Sequence, residues 1–204
     1  MSNLFLELIT KGADISQEDF KCIQNLCKCI TELFTVEERL MKINAPCTVI
    51  GDILGNMAPV ETIYRLICKS VPVLQSNIVF LGNYISSNGN DNLEVIAFIF
   101  SLKVQMPNKV ILLRGFNENV KEAQRILLPE CKRKYGDIEI AQLVCDAIVE
   151  AFTRMPFCVI IDESILCLHS GIPSKSSGNK IMNFFENIPN IIENIEDCFP
   201  AYEV

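Results

Sequence analysis

Val49-Ile50-Gly51-Asp52-Ile53-Leu54-Gly55-Asn56 is the stretch whose reading decides the fold. A β-branched pair runs into Gly-Asp, a second glycine follows, and a helical pattern starts at Pro59. This is the grammar of a buried strand, a tight turn and a helix. It recurs three times. Ile78-Val79-Phe80-Leu81 ends in Gly82-Asn83-Tyr84, Val110-Ile111-Leu112-Leu113 in Arg114-Gly115-Phe116-Asn117-Glu118, and Ile165-Leu166-Cys167-Leu168 in His169-Ser170-Gly171. Four apolar strands that each deliver a polar residue beside a glycine predict an α/β fold with a site along one rim of its sheet. Strand ends of that kind are where metals and phosphates are usually held.

Around these segments the spacing predicts helices over 16–34, 59–69, 93–104, 121–135 and 139–154. Leu4 to Thr10 also repeats apolar residues at helical spacing. Ser16 is the expected N-cap of the second helix, with Asp19 at the capping-box position. Glu37 to Met41 reads as an approach segment. Phe157–Ile161 and Ser164–Leu168 read as a hairpin with Asp162-Glu163 as its two-residue turn. Ser86 to Asn92 reads as a solvated polar loop. Ile181 to Cys198 is weakly helical, interrupted by Pro189. The chain of 204 residues reads as one domain, with residues 1–45 as its N-terminal helical region.

Composition narrows the function. The net charge is −7 and half of the residues are hydrophobic; the mean hydropathy is +0.28. No basic patch interleaved with aromatics is present, which argues against nucleic acid. Lys132-Arg133-Lys134 reads as a cationic last helical turn facing the helix dipole. No uncharged apolar run reaches about 18 residues, so no membrane span is expected. Ten cysteines are present without a CxxC pair. Cys22, Cys27 and Cys29 fall in a helical pattern, and Cys68, Cys145 and Cys158 in apolar runs, where thiols pack as small hydrophobes. Without a secretory signal they are expected to be reduced, which places the protein inside the cell, in cytoplasm or nucleus.

The four rim segments, in order and at matching separations, resemble the PPP family of serine/threonine protein phosphatases, most nearly the type 1 enzymes. That family reads Gly-Asp-x-His-Gly, Gly-Asp-Tyr-Val-Asp-Arg-Gly, Leu-Arg-Gly-Asn-His-Glu and His-Gly-Gly. Here the text is Gly51-Asp52-Ile53-Leu54-Gly55, Gly82-Asn83-Tyr84-Ile85-Ser86-Ser87-Asn88, Leu113-Arg114-Gly115-Phe116-Asn117-Glu118 and His169-Ser170-Gly171. Ala45-Pro46, Glu130 to Tyr135 and Ile161-Asp162-Glu163 agree as well. The resemblance covers nearly the whole chain and implies a metallophosphoesterase-type β-sandwich flanked by helices.

It also implies two metal ions on the rim, such as Mn or Fe and Zn. By position, Asp52 keeps a carboxylate and His169 an imidazole, but these serve different metals. The first-motif His is Leu54, the bridging Asp is Asn83 and the third-motif Asn is Phe116. Leu54 and Phe116 are expected to fill the ion space with apolar surface. The family's catalytic His is Asn117, the Asp that orients it is Ser86, and the phosphate-gripping Arg is Ser87. Two-metal hydrolysis needs paired ions to ionise the attacking water, and an amide has no pKa for acid catalysis near neutral pH. Hence no catalytic, metal or phosphate-binding residue is expected to be functional, and no cofactor is expected. Asp52 then reads as a turn or cap residue, His169 as a hydrogen-bonded strand-end residue, Asn117 and Glu118 as turn polar groups, and Tyr84 and Arg114 as scaffold.

The expectation is a degenerate, C-terminally truncated phosphatase domain, a pseudophosphatase that binds phosphatase partners, regulatory subunits among them, or phosphorylated ligands. The alternatives are a residual metal-dependent phosphatase with a rearranged site, and a chain with no role of its own. The family's last segment supplies a further metal His, a further phosphate Arg and sandwich strands that help to form a groove for hydrophobic docking motifs. Restoring His at Leu54, Asp at Asn83, Asn at Phe116 and His at Asn117 is therefore expected to fail. The absent strands are expected to leave an exposed sheet edge near the 157–168 hairpin, hence self-association or dependence on a partner, and weak binding of docking motifs.

Overall fold

The computed structural model describes residues 19–69, 76–171, 189, 191 and 192. The readings for Leu4–Thr10, for Ser16 and for most of 181–198 lie outside them. The elements are α1 (Phe20–Val36), β1 (Leu40–Ile43), β2 (Cys47–Ile50), α2 (Met57–Lys69), β3 (Asn77–Phe80), α3 (Asn92–Gln105), β4 (Val110–Leu112), a 3-10 turn (Phe116–Glu118), α4 (Val120–Tyr135), α5 (Ile138–Thr153), β5 (Cys158–Ile161) and β6 (Ile165–Leu168). The five helices foreseen in this range stand within a few residues of their expected bounds.

Two three-stranded sheets form. One runs β2-β3-β4 with all strands parallel; the other runs β1-β5-β6. β1 pairs parallel with β5, and β5 antiparallel with β6. Side chains alternate across β3 and β4 as the pleat demands. Ile78, Phe80, Val110 and Leu112 join the helices in the main core. Val79, Ile111 and Leu113 face the second sheet, meeting Val159, Met41, Ile43 and Cys167. The two sheets therefore form a sandwich with helices on the outer face of the first. A strand buried on both faces shows no alternation in sequence, which is why β3 and β4 read as unbroken apolar runs.

α3 is the central helix. From Asn92 to Phe100 every residue is buried. Phe100 packs edge-on against Phe34 of α1 and Phe152 of α5, at centroid distances of 6.3 and 6.1 Å. Each such ring contributes roughly 1.5–3 kcal/mol by leaving water. The Cys27 and Cys145 thiols are buried in this packing and the Cys158 thiol on β5, and burial pushes each up to about 12.

Two expectations are corrected. The approach segment contains a strand, β1, which joins the second sheet through β5. In the hairpin, Ile161 pairs with Ile165, so Ser164 belongs to the turn with Asp162 and Glu163. Both Asp162 and Glu163 take positive φ, 49° and 53°, the left-handed pair of a tight hairpin turn.

Candidate functional site

The parallel ladder sets the rim. Leu81 N–H donates to Ile50 C=O and Leu113 N–H to Phe80 C=O, both at 2.9 Å. The turns after β2, β3 and β4 therefore leave the sheet side by side. β6 ends beside them: His169 Nδ1 lies 3.0 Å from the Leu81 carbonyl oxygen. A carbonyl oxygen only accepts, so Nδ1 is the donor of this bond. The strand-end reading of His169 holds.

Asn83 is the centre of the arrangement. It sits at φ 53°, a left-handed conformation that Asn tolerates better than other non-glycine residues. Its carbonyl accepts from Ile53 and Leu54 N–H at 3.2 and 2.9 Å, which ties the first turn to the second. Its Nδ2 donates to Asp52 Oδ2 at 3.0 Å. Its Oδ1 accepts from Asn117 N–H at 3.1 Å. Asp52 is exposed in the turn after β2, in line with the turn half of its turn-or-cap reading, and its carboxylate accepts from a side-chain donor. The other carboxylate oxygen, Oδ1, lies 3.9 Å from His169 Nδ1. The structure thus brings Asp52, Asn83 and His169 together.

Beneath them lies Glu118, whose role the sequence reading missed. It is fully buried, and its carboxylate accepts from Asn83, Tyr84 and Gly115 N–H, each at 2.9 Å. Burial pushes its pKa up to about 7, against the opposing pull of these N–H donors. Glu118 is thus the clamp between the second and third turns and far more than a turn polar group. The available signal was Gly-x-x-Glu spacing, which places a carboxylate over the first N–H of a helical turn. The clamp depends on close approach: a Cβ on Gly115 would lie 2.3 Å from Asn83 N.

The scaffold residues behave as expected. Tyr84 is buried and its hydroxyl donates to Leu113 C=O at 2.8 Å. Arg114 is buried, bonds Ile192 C=O and lies 5.8 Å from the Phe157 ring centroid. Two other readings change, that of Leu54 with Phe116 and that of Asn92. Leu54 is 44% exposed and Phe116 51% exposed, so they stand in solvent and do not fill the rim. Asn117, by contrast, keeps its reading as a turn polar group: it lies in the 3-10 turn and its Nδ2 donates to Ile85 C=O at 2.8 Å. Asn92 is no part of a solvated loop. It is buried, accepts Ser86 N–H at 2.8 Å and donates to Glu130 Oε2 at 2.7 Å. Ser86 Oγ caps its own loop by accepting from Asn88 N–H, and Ser87 is exposed.

The residues present do not fit a pair of metal ions. The Asn83 amide nitrogen is bound to Asp52, and its oxygen, which already accepts a backbone N–H, is neutral and does not supply the charge of a bridging carboxylate. Beside it stand one carboxylate, Asp52, and one imidazole, His169, where catalytic metal sites commonly offer about three protein ligands per ion. Among the described residues no three His, Cys, Asp or Glu side chains are grouped so as to hold an ion.

The family model described as calcineurin-like phosphoesterase matches residues 45–200. A protein phosphatase 2A catalytic subunit of Dictyostelium discoideum is 32% identical over 187 residues, covering 83% of this chain and 57% of that protein. The serine/threonine-protein phosphatase SIT4 of Candida albicans is 31% identical over 171 residues, covering 82% and 52%. The chain therefore spans about half the length of these curated relatives. A solved serine/threonine phosphatase from Saccharomyces cerevisiae, described as similar to human phosphatase PP5, superposes with a TM-score of 0.75 at 20% identity. The match covers 100% of this chain and 62% of the yeast one. That likeness speaks for the fold.

Proposed function

This chain belongs to the calcineurin-like phosphoesterase family, and from that premise we propose that it is a phosphatase-like domain without phosphatase activity that acts by binding proteins. The observation that carries this reading is the Asn83 amide. Where the family resemblance implies a bridging carboxylate, a neutral side chain here donates to Asp52 and accepts from Asn117 N–H. An amide nitrogen bound to a carboxylate neither coordinates a cation nor attracts a second one.

The remaining chemistry is missing as well. Asn117 offers no proton near neutral pH, and its Nδ2 is held by Ile85 C=O. Ser87 cannot form the bidentate fork with which an Arg grips phosphate. The partners we assign are phosphatase components, such as regulatory subunits, or the substrates of phosphatases. The compartment we assign is the reducing interior of the cell, cytoplasm or nucleus, in keeping with a core that holds cysteines as thiols.

The test is turnover of a phosphoserine peptide and of p-nitrophenyl phosphate with added Mn(II). Rates indistinguishable from buffer are expected; measurable turnover abolished by Asp52→Asn would overturn the reading. A second reading, a residual metal-dependent phosphatase with a rearranged site, draws on one observation, the 3.9 Å approach of Asp52 to His169. It requires one ion on those two side chains, so turnover lost in His169→Ala would favour it.

A further inference from the structure

We propose that the rim recognises a basic side chain, Lys or Arg, of a partner polypeptide, with Asp52 taking the cation and Leu54 and Phe116 flanking it. This rests on the non-catalytic reading above and names the partner chemistry of the same site. Three observations meet here. The Asp52 side chain is 44% exposed. The side chain that bonds it, Asn83, is neutral, and His169, whose Nδ1 lies 3.9 Å away, bonds the Leu81 carbonyl through that nitrogen. At the positions where the family resemblance implies metal ligands, an Arg and a His stand Leu54, Asn83, Phe116, Ser87 and Asn117, none of them cationic.

The second observation is apolar. Leu54 and Phe116 are among the few large hydrophobic side chains left in solvent. Both are tied to the same residue: Leu54 N–H bonds Asn83 C=O, and the residue after Phe116 bonds Asn83 Oδ1. Their turns are thus both bonded to the residue whose amide holds the carboxylate. Leu54 also keeps φ 57°, a conformation that costs a leucine energy and is cheap for glycine. A carboxylate beside aliphatic and aromatic surface suits Lys and Arg, whose long stems pack while their heads stay polar, and an aromatic face attracts the cation itself. The third observation is the net charge of −7, which steers cationic segments toward the molecule.

The experiment is an NMR titration of the whole chain with two hexapeptides, Gly-Gly-Arg-Leu-Gly-Gly and the same sequence with phosphoserine at Arg. The arginine peptide is expected to shift the amides of Asp52, Leu54, Asn83 and Phe116, and to bind at least about fivefold more tightly than the phosphopeptide. Asp52→Asn should weaken it about fivefold or more, while Asp146→Asn, on α5, should change it less than about twofold. Leu54→Gly separates recognition from folding: it should leave the thermal midpoint equal or higher while weakening binding. Tighter binding of the phosphopeptide, equal losses in the two Asp variants, or no shift with either peptide would overturn the proposal. Two tightly held ions per chain would instead overturn the non-catalytic reading on which it stands.

Discussion

Glu118 is the residue on which the rim turns depend. Its carboxylate accepts from the Asn83, Tyr84 and Gly115 N–H groups and from that of Ile85, and Gln offers one acceptor for all of them. Glu118→Gln is expected to cost about 1–3 kcal/mol, because each buried donor left unpaired loses its water without replacement. The pH dependence has a definite sign. The folded pKa is raised from 4.5 to about 7. The stability this group contributes is therefore full below the lower value and is lost as pH rises through the upper one. Urea unfolding between about pH 5 and 8 should show the native chain losing stability relative to Glu118→Gln as pH rises. A parallel pair of curves would contradict this. Gly115→Ala should be worse, by more than about 2 kcal/mol, since the added carbon meets backbone nitrogen, which cannot move aside. At this scale the sequence was a good guide to position and a poor one to environment. Asp52, Asn83 and His169 were all placed by the strand-end pattern, and they meet. The depth of Glu118 and Asn92, and the exposure of Leu54 and Phe116, depend on how turns from separate strands pack, which no local pattern encodes.

Among the elements, α3 was legible because a largely apolar stretch of 14 residues needs burial on all sides. Its polar members were not. Lys103 is fully buried near the end of α3 and bonds Glu37, the Pro107 carbonyl at 2.9 Å and the Val110 carbonyl at 2.7 Å. It joins the C-terminal end of α1 to α3 and β4. Burial lowers the Lys103 pKa and raises that of Glu37, while each charge supports the other. Lys103→Met should destabilise by about 3 kcal/mol, the low end for a broken buried pair, because Glu37 keeps 13% of its side chain exposed. Adding Glu37→Gln should restore part of the loss, measurable as a rise in the urea midpoint at unchanged slope; no recovery would mean that the carbonyl contacts carry the effect. β1 escaped the sequence reading for a related reason. Arg39-Leu40-Met41-Lys42-Ile43 mixes charge with apolar residues, and its strand character comes from β5, far along the chain.

For the whole molecule, the asymmetry between core and rim is the central fact. The sandwich and its helices keep the pattern that packing demands, while the strand ends carry Leu54, Asn83, Phe116, Asn117 and Ser87 where the family resemblance implies ligands and catalytic groups. Fold was therefore readable from apolar periodicity, and the loss of chemistry proposed above rests on residue type at the turns. Surface behaviour follows from what the sheets leave open. Among the described residues β6 pairs only with β5, and Ile165 on β6 and Val49 on β2 are 58% and 44% exposed. Sedimentation velocity should show association that grows with concentration, since unpaired strand edges with apolar side chains invite further pairing. A monomer at the highest attainable concentration would contradict that. The claim beneath all of this is that the rim cannot hold a pair of metal ions. Elemental analysis of the purified chain, after incubation with excess Mn, Fe and Zn and exhaustive dialysis, tests it most directly. Well under one ion per chain is predicted, and about two per chain, the complement of a two-metal hydrolase, would contradict it.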